Sequence, residues 1–185
     1  MYKTSDDLRF KKNRKALQRA YIDLVTENET LSISIKEIAA RANVNRMTFY
    51  SHYDEPIDIL REFVDEMVDE LMAGQQRIED IEQSLFALLD DATELMQKEL
   101  DFFILVSSSR DFDYCRSQFR RAFKKLFYEA LSKSPDMDMT QRAITVDFLA
   151  SGTTFIYLDW LAGEYGNMDQ EDLIRNLNNL IQKFH

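Results

Sequence analysis

Turn-forming residues are nearly absent from this sequence: 4 glycines and 2 prolines serve 185 residues. A fold of many short strands needs a turn roughly every 8–12 residues, usually built from such residues. Leu, Glu, Ala, Lys, Arg, Gln and Met, all good helix formers, are common instead. The chain is expected to be all-α. Its length suits one large domain or a small one joined to a larger one, and folding at this size buries about 70% of the chain's surface, so neither disulfide nor metal is needed. Cys115 is the single cysteine, which excludes an intrachain disulfide and fits a reducing cytosol. The first residues carry no apolar run, as a signal peptide would. No window approaches the roughly 18 apolar residues of a membrane span. The expectation is a cytoplasmic protein with no membrane partner.

The formal net charge of −10 argues at first against nucleic acid, but its distribution does not. Residues 1–53 hold 10 Lys/Arg against 6 Asp/Glu, while the remaining residues hold 13 against 27. A basic segment on an acidic body suggests a localised contact surface.

Apolar spacing predicts a first helix over about 5–26, with Leu17, Ala20, Tyr21, Leu24 and Val25 inward. Lys11, Lys15 and Arg19, four apart and joined by Lys12 and Arg14, form a basic face, which by itself reads as a solvated surface. Ser34 and Glu37 match a capping box opening a second helix. Asn43 suits a left-handed turn, and Asn45 suits the N-cap of a third helix over about 46–53. Pro56 is tolerated in the first turn of a fourth helix reaching about residue 73. Further helices are expected at about 79–98, 100–108, 112–133, 138–163 and 169–184, with breaks at Ser134-Pro135-Asp136 and Gly163–Asn167. That gives about nine helices. A helix-turn-helix domain covers 1–54. A helical regulatory and dimerisation domain covers 55–185, with 55–74 as connecting helix.

Residues 34–53 carry the most information. A short amphipathic helix, a three-residue turn and a second short helix make a helix-turn-helix. Small Ala39 permits close approach, and Val44 and Phe49 close its core. Ile38-Ala39-Ala40-Arg41-Ala42, Val44, Thr48-Phe49-Tyr50 and His52-Tyr53, in that order, resemble the N-terminal signature of the tetracycline-repressor (TetR) family of transcriptional regulators. The likeness covers about residues 8–62. It departs from the family at Asn43, often glycine there, and at Pro56, often lysine. The resemblance implies a DNA-binding repressor acting as a homodimer on a palindromic operator and modulated by an effector in the C-terminal domain. Helix 3 would enter the major groove N-terminus first. Arg46 would pair with guanine, Asn45 would read adenine or cap the helix, and Met47 and Thr48 would meet thymine methyls. Tyr50 and His52 would bind phosphates, with Ser51 a further DNA contact and Ser34 and Lys36 on the adjacent backbone. Phe49 and Tyr53 belong to the core.

In the body, Leu173, Leu177, Leu180 and Phe184 step by four, three and four, flanked by Ile174 and Ile181, as a helix–helix seam requires. The helix at 138–163 is apolar nearly all round, Phe148 and Phe155 included, and is expected to be buried. A dimer interface of Phe148, Phe155, Leu173, Leu177, Leu180, Ile181 and Phe184 follows from these patterns and the resemblance. Phe102, Phe119, Phe123, Phe127, Tyr157 and Trp160 either line an apolar effector pocket, small-molecule or protein, or simply pack the core. Asp147 and Asp159, in the apolar helix, would bind a polar group, pair with arginine or face solvent.

An enzyme is disfavoured. His52 and His185 are the only histidines and neither completes a Glu-x-x-His motif. No Walker loop, nucleophile elbow or cysteine–histidine zinc set is present. No cofactor or metal is expected. The alternative is a helical module regulated by a protein partner, with weak or no DNA binding.

Overall fold

The computed structural model describes residues 5–74, 81–132 and 137–181, and every regular element among them is helical. The helices are α1 (Ser5–Asn28), α2 (Ile35–Arg41), α3 (Arg46–Tyr50), α4 (Pro56–Gly74), α5 (Ile81–Gln97), α6 (Leu100–Ser108), α7 (Asp113–Leu131), α8 (Met139–Leu161) and α9 (Gln170–Ile181), with a 3-10 turn at Arg110–Phe112. The chain forms two compact units, Met1–Asp65 and Glu66–His185.

In the first unit α1 packs on α2 and α2 on α3. Leu17, Tyr21, Val25, Ile38, Phe49, Ile59 and Val64 are completely buried. Ser34 caps α2 by the expected capping box: its hydroxyl accepts from the Glu37 amide at 3.3 Å, and the Glu37 carboxylate accepts from the Ser34 amide at 3.0 Å. Asn43 turns the chain at φ +54°. Asparagine visits this left-handed region at little cost, so it serves where glycine would.

In the second unit α7 and α8 form the most extensive helix pair, with α6 also on α8, and α5 on α7 and α9. Phe102, Phe103, Phe112, Phe119 and Phe127 are buried among these helices. Phe102 meets Phe103 and Phe112 edge-on. Arg116 is drawn inside because the last carbonyls of α6 lack helical partners. It donates to the carbonyls of Val106 and Ser109, and Asp113 balances its charge at 2.5 Å. Tyr157 donates to the hydroxyl of Thr93, which in turn donates to the Leu89 carbonyl.

Within the protomer α8 is covered on one side: Val146, Leu149, Ala150, Tyr157 and Leu158 are inside, while Ile144, Phe148 and Phe155 are 65%, 62% and 52% exposed. On α9 the first part of the stripe is covered by its own chain. Leu173 and Leu177 are buried in the protomer and Leu180 is 48% exposed, while the Ile181 side chain and Phe184 lie outside the described residues. Periodicity shows that a face is covered, not which chain covers it. Asp147 pairs with Lys124 at 2.6 Å, not with an arginine.

Candidate nucleic-acid interface

Two interactions hold α3, a helix too short to stand by itself. Phe49 is fully buried beneath it, with its ring edge-on to Tyr50 and tilted on Tyr53. Asn45 caps it: the side-chain oxygen accepts from the Thr48 amide at 2.8 Å and from the Thr48 hydroxyl at 3.1 Å. At 100° per residue, Arg46, Tyr50 and Met47 then fall within one arc of about 100°. Arg46 is exposed, and Met47 and Tyr50 are 76% and 55% exposed.

The other sequence-derived contact residues divide into available and engaged groups. Lys36 is exposed on the first turn of α2. The Ser34 hydroxyl donates to Glu37 at 2.5 Å, and this bond holds the Glu37 carboxyl below its usual range. Thr48 is half-buried with its hydroxyl on Asn45, and the exposed Ser51 donates to the Thr48 carbonyl at 2.7 Å. His52 is half-buried, and its ring lies 4.0 Å from that of Phe10. Its buried Nδ1 has no hydrogen-bond partner among the described residues. Burial pushes the imidazole below its ordinary value, helped by Arg14 and opposed by Glu62. His52, which the sequence suggests as a phosphate ligand, thus also packs against Phe10.

Sequence reasoning missed the brace behind this surface. The Glu62 carboxylate on α4 accepts from Arg14 on α1 at 2.7 Å and from the Tyr53 hydroxyl. Residues 14, 53 and 62 are too far apart for any local pattern to link them. Arg41 is likewise withdrawn, held by Glu27 in a two-pronged pair at 2.8 and 2.7 Å.

In the second unit, Phe119, Phe123 and Tyr157 line a small enclosed cavity with Leu71, Met96 and Leu158. Its volume is about 10 Å³, enough for about one water. Phe102 and Phe127 are buried in the core, and Trp160 is half-buried with its indole N–H on the Met168 carbonyl at 2.8 Å. No helix among the described residues is long and apolar enough to cross a membrane.

No family model matches the chain. Over 67 residues it is 31% identical to an uncharacterized HTH-type transcriptional regulator, YxbF, of Bacillus subtilis (strain 168), a match spanning 36% of this chain and 18% of that protein. A TetR transcriptional regulator from Streptococcus agalactiae 2603V superposes with a TM-score of 0.72 at 25% identity, over 95% of this chain and 97% of that one. A putative TetR-family regulator from Syntrophomonas wolfei gives a TM-score of 0.70 at 16% identity, over 94% and 95% of the two chains. These neighbours are regulators of transcription, not enzymes. With a helix-turn-helix unit followed by a helical unit, the chain has the fold of the TetR-family transcriptional regulators.

Proposed function

We propose that the chain binds double-stranded operator DNA as a homodimer in the cytoplasm and regulates transcription, as a repressor that blocks the DNA it occupies. The observation that carries this reading is the outward side of α3. Arg46, Met47 and Tyr50 stand exposed on a helix fixed from behind by Phe49 and from its start by Asn45. An exposed arginine on a pinned short helix suits bidentate contact with guanine in the major groove. Lys36 supplies a phosphate contact. Ser34, Asn45, Thr48 and Ser51 contribute chiefly by holding the backbone.

The second copy is proposed on the open face of α8. Ile144, Phe148, Ser151 and Phe155 step by four, three and four along it, and three of these are large and exposed. Nothing lies within 4 Å of where a side chain at Gly152 would begin, so a partner helix can approach closely there. Such an apolar stripe is costly to leave in water. A two-fold dimer would present two α3 helices to half-sites about one DNA turn apart, or a multiple of it. An effector entering the small cavity has to part α5, α7 and α8 around it, because ligand sites usually enclose hundreds of Å³.

Fluorescence anisotropy with the DNA upstream of the chain's own gene, at two salt concentrations, tests the reading. Arg46→Ala and Tyr50→Ala should each weaken binding about tenfold, corresponding to about 1.4 kcal/mol, and leave the dimer intact on a sizing column. Equal binding by wild type and both variants sinks the site assignment. Absence of DNA affinity at low salt favours the protein-partner alternative.

A further inference from the structure

The second unit is acidic, with 12 Lys/Arg against 22 Asp/Glu in residues 66–185, yet its cations are not spread evenly. Five of them lie on α7 between Cys115 and Tyr128, a stretch without Asp or Glu. Arg116 turns inward to the end of α6. Arg120, Arg121, Lys124 and Lys125 are exposed. Lys124 pairs with Asp147, and Arg121 donates to the side-chain oxygen of Gln118 at 3.3 Å. Arg120 and Lys125 join no ion pair among the described residues. At 100° per residue the four cations and Tyr128 fall within an arc of about 140°, opposite the buried Phe119 and Leu126. They make two parallel rows at four-residue spacing, Arg120–Lys124 and Arg121–Lys125. Tyr128, 57% exposed, closes the patch about 12 Å along the helix from Arg120.

Like charges four apart on one helix destabilise it, and the Phe119 side of α7 already supplies its packing. Carboxylates from outside remove that cost. The extent of the patch selects among polyanions. It is bounded along α7 by the exposed Asp113 and Glu129, and Asp147 lies at its side. Charges act over about 8 Å at physiological salt, so anything anionic that runs past the patch meets these acids. DNA carries a negative charge every 1.7 Å or so along its axis, and an anionic membrane extends in two dimensions; both overrun the patch. A short acidic peptide does not. Arginine forks bind carboxylates through paired hydrogen bonds, and Arg with Tyr is the composition of protein interfaces. We propose that the outward face of α7 is a docking surface for an acidic segment of a partner protein, its carboxylates set one helical turn apart so that they meet both rows together. The surface lies on a different helix from the outward side of α3 and from the open face of α8, and it does not depend on DNA binding.

The probe is a labelled alanine-based peptide of about 20 residues, long enough to hold a helix, with glutamates in two rows of four-residue spacing. Its glutamine counterpart is the control. Anisotropy with the full-length protein at low salt measures affinity. Carbodiimide coupling, which joins carboxylates to lysine amines, locates the contact by mass spectrometry. The expected result is coupling to Lys124 and Lys125, with no binding of the glutamine peptide. R120Q/R121Q/K125Q should weaken binding about tenfold or more, since each exposed ion pair contributes up to about fivefold, with helix content unchanged. K11Q/K12Q/K15Q removes the one exposed lysine row of α1, Lys11–Lys15, and should weaken binding less than about threefold. The coupling map is read on wild type, so it decides even where a substitution disturbs the fold. Coupling spread over other lysines, or an equal loss in the α1 variant, overturns the proposal, because any basic stretch then suffices. An equal effect of the α7 triple on a random DNA duplex or on phosphatidylserine vesicles overturns it in favour of those polyanions. Sedimentation showing that wild type forms a larger species than the α7 triple overturns it in favour of a second copy of the chain.

Discussion

Replacing Asn45 by alanine isolates what holds the recognition helix in place. In the native protein its side-chain oxygen accepts two hydrogen bonds from Thr48, at 2.8 and 3.1 Å. Alanine leaves the Thr48 amide at an exposed helix start, where water takes over part of the bond. Losing such a cap costs about 1 kcal/mol. In a chain of this length that lowers the melting temperature by about 2–4 °C. α3 has only 5 residues, fewer than a helix needs to sustain itself, so the loss falls on the segment that carries Arg46 and Tyr50. Urea unfolding followed by circular dichroism measures the stability, and anisotropy on operator DNA measures the affinity. Asn45→Ser keeps a capping oxygen and should restore the stability. If it also restores the affinity, the role is capping; if the affinity stays low, the amide also reads a base. An Asn45→Ala protein as stable as wild type, or a serine variant no more stable than the alanine one, refutes the argument.

Three further outcomes follow from the geometry. Gly152→Leu meets open space in the protomer and exchanges a poor helix former for a good one; helix content should hold while sedimentation shows the dimer weakened about tenfold or more, and an unchanged dimer removes α8 from the interface. His52 is held below its ordinary value of 6.5, mainly by burial, so the unfolded chain takes up its proton first as pH falls. The native state therefore loses stability below about pH 6.5, the loss being complete once the folded-state value is passed, and His52→Gln should flatten that part of the urea-midpoint profile; an unaltered profile counts against the buried ring. Cys115 is fully buried and its thiol is pushed up to about 12, so a thiol reagent at neutral pH should label it only as the protein opens. Immediate labelling in native buffer contradicts this packing.

The parts legible in the sequence are those fixed by near neighbours. Ser34 and Glu37 are three residues apart, as are Asn45 and Thr48, and both caps form as their spacing suggests. Asn43 and Gly163 stand at positive φ, where the chain was expected to turn. What stayed hidden depends on distant partners. Phe10 reaches His52 and gives its ring a packing partner. Glu62 collects Arg14 and Tyr53, and Arg116 closes the end of α6. Which partner covers each apolar face of the body is hidden for a related reason. An apolar stripe has the same sequence whether it meets its own core, as on α9, or stands open, as on α8.

α4 passes from one compact unit into the other without a break. Ile59, Leu60 and Val64 anchor its beginning in the first unit, and Met67, Val68 and Leu71 anchor its end in the second. The helix has 19 residues in all, so each share is shorter than the roughly 12–15 residues at which an isolated helix becomes even marginal in water. Each share is therefore helical only through the packing of its own unit, and a substitution that loosens either core is expected to fray the helix from that end.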